Sequence, residues 1–229
     1  MASYQARQRD PLLDARTQAA IERRGREMLG ALLLALAAAL AALLLSYSPD
    51  DPSWMAATDG PVQNLLGRVG AAAAAPLIII AGKGALALPV VLAVWGLRLI
   101  RHRGEERAVT RLVFLPIAVA LTSAHGATLV PGADWAHPFG LGGLFGDTVL
   151  GALLGVVPVT AAAGLKLVSL ALAVLMAVVV LYAAGIDRHE ARAIWRFVLF
   201  GLTMAWAGAL AGLAAAGRGA VRAARRGGA

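Results

Sequence analysis

Apolar residues in this sequence fall into long runs, punctuated by short arginine-rich or proline-rich breaks. A run of about 18 apolar residues can cross a hydrocarbon layer of roughly 30 Å as a helix. The runs at 28–47, 84–100, 112–130 and 165–186 predict four spanning helices. The first is nearly all Ala and Leu, strong helix formers, and Ser48-Pro49 stops it. Ahead of the second lies an apolar stretch, 69–82, too short to cross before Gly82-Lys83-Gly84 interrupts it. Pro89 predicts a kink, since proline removes one backbone hydrogen bond, and a single bent helix over 70–100 is an equal alternative. Lys83 is then placed to snorkel, its stem in lipid and its ammonium in water. Two more apolar stretches, 141–157 and 194–217, are read as lying at the interfaces. The first is a Gly-rich outer interfacial or re-entrant helix ending at Pro158. The second is an in-plane helix on the inner face, anchored by Trp195 and Trp206. Residues 1–27 carry only a weak apolar face and are expected to be mostly flexible.

Charge placement sets the direction of the spans. Eighteen of the 21 basic residues fall in or beside the segments 1–27, 101–111 and 187–229. Lys and Arg near membrane helices favour the cytoplasmic side. Those three segments are therefore expected inside, and the loops 48–83 and 131–164, which hold only Arg68 and Lys83 among basic residues, outside. Making 194–217 alone a fifth span would turn Arg218, Arg222, Arg225 and Arg226 outward, and making both stretches span would move Arg188, Arg192 and Arg196 outside instead. The reading is an all-α integral membrane protein with four transmembrane helices, short interfacial helices and both termini cytoplasmic. The formal charge of +8 would suggest nucleic acid in a soluble protein, but here it marks topology. The 218–226 arginines fit attraction to anionic lipid, and no direct DNA binding is expected from this segment.

Candidate chemistry is sparse. There is no cysteine, so no disulfide or thiolate metal site, and the four histidines lack ligand spacing. No phosphate loop, H-E-x-x-H or G-x-S-x-G motif occurs. No catalytic, cofactor-binding or metal-binding residue is assigned. Asp50 and Asp51 read as a capped turn in preference to a cation site. Gly142/Gly146, Gly151/Gly155 and Gly208/Gly212 each form G-x-x-x-G, a spacing that lets helices approach closely in lipid. Oligomer contacts and packing within the chain are equal readings of it. Few polar residues lie at mid-membrane, so a small multi-pass transporter or channel subunit stands only as the alternative function.

The segment Ser46-Tyr47-Ser48-Pro49-Asp50-Asp51-Pro52-Ser53-Trp54 is similar to the S-[YF]-x-P-x-D-P-S-W hallmark that follows the first helix of the FtsK/SpoIIIE bacterial DNA translocases. Asn64-Leu65-Leu66-Gly67 with Gly70-Ala71 resembles that family's N-x-x-G-x-x-G-A stretch. Gly142-Gly143 with Gly146 resembles its glycine-rich segment before the last helix. The resemblance covers roughly 25–190 and points to the N-terminal membrane domain of the FtsK branch. It implies an anchor in the bacterial inner membrane at the division septum, coupling division to chromosome segregation. Implied partners are the bilayer, other division proteins and further copies of the chain, as a hexamer. The sequence has no linker, motor or DNA-reading winged helix, which implies a fragment or a separately encoded motor. ATP and Mg would belong to that motor, and no enzyme activity is expected of this segment. Ser46, Pro49, Asp50, Asp51, Pro52, Ser53, Trp54, Asn64 and Gly67 are the candidate partner-facing residues.

Overall fold

A computed structural model of the chain describes residues 14–133, 135, 137–156, 161–201, 203, 204 and 206. Its regular elements are helices: α1 (Ala15–Leu45), α2 (Gly67–Ala81), α3 (Ala87–Ile100), α4 (Ala108–Leu112), α5 (Leu115–Ala127), α6 (Gly143–Val156) and α7 (Ala161–Ala183). A 3-10 segment, Gly82–Leu86, joins α2 to α3. Among the described residues, four stretches are long and apolar enough to cross a membrane: Arg16–Leu45, Gly67–Ile100, Ala108–Ala127 and Ala163–Ala183. This is an all-helical membrane protein with four candidate spans. Chain contacts divide it into two units, 1–185 and 186–229.

The first span begins inside a longer helix. Residues 15–27, expected to be mostly flexible, continue α1 without interruption. Their charges explain it, because residues three and four apart face each other on a helix. Arg23 and Arg24 lie 3.1 and 3.2 Å from the Glu27 carboxylate, and Arg26 lies 3.7 Å from Glu22. His102, in the α3–α4 turn, adds a 3.2 Å contact from its Nε2 to Glu27. Residues 1–13 lie outside the described residues.

The second span is broken at Gly82, not kinked at Pro89. Pro89 stands in the first turn of α3, where an amide lacks an intrahelical partner anyway. Gly82 takes φ 57°, a left-handed value that favours glycine. A Cβ there would run into the backbone of Leu141 and Gly143, and Gly143, itself at φ 68°, presses back on Gly82. In lipid, backbone groups freed by such a break need internal partners. The Ser123 hydroxyl, wholly buried, donates to the Ala81 carbonyl at 2.7 Å, and the Lys83 N–H donates to the Leu141 carbonyl at 2.8 Å.

The remaining spans run close to their expected limits. The third starts four residues early and pauses at Val113-Phe114 before Pro116 restarts it, and α5 ends at Ala127 in place of 130. The α7 helix spans 161–183, where 165–186 was expected. Within the stretch 141–157, α6 covers Gly143–Val156, 14 residues that reach about 21 Å, short of a crossing, and the expected end at Pro158 lies outside the described residues. It packs on α2 and α5.

The helices close on each other through small residues. Gly30 of α1 meets Gly96 and Ile100 of α3, so these helices run antiparallel in close contact. Leu43, Leu44, Ala74, Ile78, Ala81 and Ala85 fill one core, and Val91, Trp95, Ala118 and Ala183 another. Trp95, 1% exposed, donates its indole N–H to the Ala183 carbonyl at 2.7 Å. The Arg111 guanidinium sits 4.9 Å from the Tyr182 ring centre, and Gly185 (φ 76°) turns the chain against the Trp95 ring.

The second unit is helical over 188–201. Glu190 caps its start, accepting the Asp187 N–H at 3.1 Å. Arg188, Arg192 and Arg196 fall four apart on one face. Trp195, Phe197, Phe200 and Trp206 are exposed. The rest of 194–217, including Gly208/Gly212, falls on or beyond positions outside the described residues.

Candidate functional site

The α1–α2 loop carries the hallmark residues, and its geometry follows from two proline-bounded turns laid over the end of α1. Pro49 and Pro52 prevent further helix. The Ser48 hydroxyl accepts the Asp50 N–H at 3.4 Å, and the Ser53 hydroxyl accepts the Met55 N–H at 3.3 Å. Thr58 folds the loop back by donating its hydroxyl to the Asp50 carbonyl at 2.7 Å.

Beneath this surface lies a buried polar knot. Asp51 is 2% exposed and its carboxylate accepts the N–H groups of Gln63 and Asn64 at 2.6 and 2.9 Å. Asn64, also buried, donates from its side-chain amide to the Leu43 and Ser46 carbonyls at 2.8 and 3.4 Å, and its Oδ1 accepts the Leu66 N–H at 3.1 Å. The Ser46 hydroxyl donates to the Ala42 carbonyl at 2.6 Å and accepts the Leu65 N–H at 3.0 Å. Gly67, at φ 62°, gives its N–H to the Asn64 carbonyl at 2.8 Å and opens α2. The knot therefore satisfies the last carbonyls of α1 and the first amides before α2 together.

The hallmark residues thus separate into two sets. Ser46, Asp51, Asn64 and Gly67 fold the loop. Asp51 is committed to backbone amides and Asp50 is exposed, which is the geometry of a capped turn. Trp54, by contrast, is 89% exposed, and Met55 beside it is largely so. An open cavity of about 490 Å³ lies beside Trp54, edged by Asp59 and Arg68.

A second cluster on the same loop end was not legible in the sequence. The His137 ring stacks between Tyr47 and Phe139, at centroid distances of 5.6 and 4.9 Å, and meets the Trp135 edge at 4.6 Å. The Trp135 indole N–H donates to the Phe139 carbonyl at 2.7 Å. Burial holds His137 below the ordinary histidine pKa of 6.5. The alternation of rings at 135, 137 and 139 was the available signal; Tyr47 joins them only through the fold.

The glycine pairs also separate. Gly142 and Gly146 press on Ser123 and Ala127 of α5, so this pair packs within the chain. Gly151 and Gly155 have nothing within 4 Å of a Cβ position. Gly82-Lys83-Gly84 does not fit a nucleotide phosphate: its lysine amide is bound to Leu141 and Gly84 is packed on Ser123, leaving no cradle of free amides.

The family described as the 4TM region of DNA translocase FtsK/SpoIIIE matches residues 22–184, most of the chain, taking in the first candidate span from residue 22 and the other three whole. The chain belongs to that family. The DNA translocase FtsK of Bradyrhizobium diazoefficiens is 35% identical over 130 residues, covering 57% of this chain and 16% of that protein. That of Mesorhizobium japonicum is 35% identical over 137 residues, covering 58% and 15%. That of Azospirillum brasilense is 33% identical over 145 residues, covering 62% and 23%. The chain thus aligns with less than a quarter of the length of each of these relatives. No solved structure matches it significantly.

Proposed function

We propose that this chain is the membrane anchor and assembly module of an FtsK-like DNA translocase. It holds the bacterial inner membrane at the division septum, with both termini in the cytoplasm, and so couples division to chromosome segregation. The match of residues 22–184 to the four-helix region of that family carries the reading. The loop geometry supports it, because a buried knot fixes a loop whose most prominent feature is an exposed Trp54. A rigid, exposed tryptophan is the kind of residue on which interfaces concentrate their energy. Other division proteins are the partners proposed for this face, and further copies of the chain for the lipid-facing helices. The arginine face at 188, 192 and 196 suits anionic lipid. ATP, Mg and DNA belong, on this reading, to motor and winged-helix parts of the kind the family carries elsewhere.

Two measurements test it. Reporter fusions after residues 60 and 150 should read out on the outer side; cytoplasmic readout from either would sink the topology. A fluorescent fusion should gather at septa, and Trp54→Ala should lower septal signal several-fold while membrane insertion stays intact. Septal recruitment unchanged in that variant would remove Trp54 from the partner face.

A further inference from the structure

Lys83 does more than reach for water. Its ammonium stands 5.4 Å from the centre of the Trp135 ring, and Lys83 lines a cavity of about 300 Å³ together with Tyr47, Pro49, Leu86 and His137. Among the described residues no carboxylate lies within ion-pair distance of Lys83. Lys83 brings the ammonium to this lining, and burial keeps His137 below the ordinary histidine value. Lys83 is exposed, so an anion can reach its ammonium beside the Trp135 ring.

The floor of the pocket indicates what the anion is attached to. Leu86 also lines a second, wholly apolar groove of about 370 Å³, formed with Val90 of α3, Thr122 of α5 and Met176 and Val180 of α7. A charged, ring-walled pocket therefore shares a residue with a groove on the spanning helices. That pairing suits an amphiphile; a soluble phosphate would have no use for the groove. The site lies at the break at Gly82, where Lys83 interrupts the apolar residues between Arg68 and Arg98.

We propose that this pocket binds an anionic phospholipid, its headgroup phosphate at the Lys83 ammonium and one acyl chain along the groove beside Leu86. Tyr47 and Trp135 flank the headgroup at the depth where amphipathic rings are stable in a bilayer. The site is independent of any partner of the Trp54 face, and it tests separately from septal placement.

The experiment uses the full chain, purified in non-ionic detergent, with native mass spectrometry as the readout. Phosphatidylglycerol should be retained over phosphatidylcholine, and glycerol 3-phosphate should compete weakly. Lys83→Gln should lower retained phosphatidylglycerol about fivefold, the scale of one lysine's attraction to anionic lipid. Lys83→Arg should keep it, and Lys166→Gln should leave it unchanged. Equal retention by Lys83→Gln, or equal retention of phosphatidylcholine, overturns the proposal; full competition by glycerol 3-phosphate reassigns the site to a soluble phosphate and overturns it too. Should Lys83→Gln fail to fold, the wild type still decides. It should retain phosphatidylglycerol over phosphatidylcholine, and equal retention of the two would refute the site.

Discussion

Asp51 and Trp54 are three positions apart and do opposite work. Removing the Asp51 carboxylate leaves two backbone N–H groups without partners, one of them buried. Asp51→Ala should therefore cost about 2–4 kcal/mol in denaturant unfolding of the detergent-solubilised chain. Asp50→Ala, at an exposed position, should stay within about 0.5 kcal/mol. Equal costs would mean that the knot does not hold the loop. His137 gives a pH-dependent test. Its folded-state pKa lies below the ordinary 6.5, so the unfolded chain takes up the proton first as pH falls. Its contribution to stability is full above about 6.5 and is lost as pH falls from there through the lowered folded value. The melting temperature should fall across that window in the wild type and fall less in His137→Gln. The sequence marks this loop clearly as a unit, through its prolines, aspartates and aromatic rings. It does not say which residue folds it and which faces out, because that division depends on Asn64, thirteen positions beyond Asp51.

The helices show where hydropathy is a good guide and where it stops. The third and fourth spans stand within four residues of their apolar runs, whereas the first and second begin at Arg16 and Gly67, well ahead of 28 and 84, the second following the bent-helix alternative over 70–100. The N-terminal extension of α1 was missed because charged residues end a membrane crossing but not a helix. The break in the second span was signalled by Gly82-Lys83-Gly84 and wrongly shared with Pro89, whose effect depends on its distance from the helix start. What no local pattern contains is that the turns at Gly82 and Gly143 fit against one another. Gly82→Ala should therefore cost ~3 kcal/mol or more, from strain at positive φ and collision with backbone. Gly151→Ala, with open space around it, should be neutral or stabilise by up to about 1 kcal/mol, as alanine favours helix. Thermal unfolding of both variants in one detergent separates the two glycines; similar losses would show that Gly151 is also packed.

For the molecule as a whole, α1 is a single rod of 31 residues, of which 15–27 extend beyond the apolar run. Spin labels at Arg16 and Met28 should give one narrow distance near ~18 Å, the rise of twelve helical residues. A broad distribution would restore the flexible segment that the sequence suggests. At the far end of the first unit the chain leaves α7 beside a fixed point: the Trp95 indole holds the Ala183 carbonyl, and Arg111 covers Tyr182 one residue earlier. That arrangement has a mechanical meaning. Tension on the chain beyond Gly185 does not peel α7 away alone, because Ala183 is stitched to α3, which lies along α1. A pull on that end therefore acts on α3 through the Trp95 bond and on α5, along which α7 packs, as well as on α7 itself. Whatever pulls on this chain from that side pulls on the bundle.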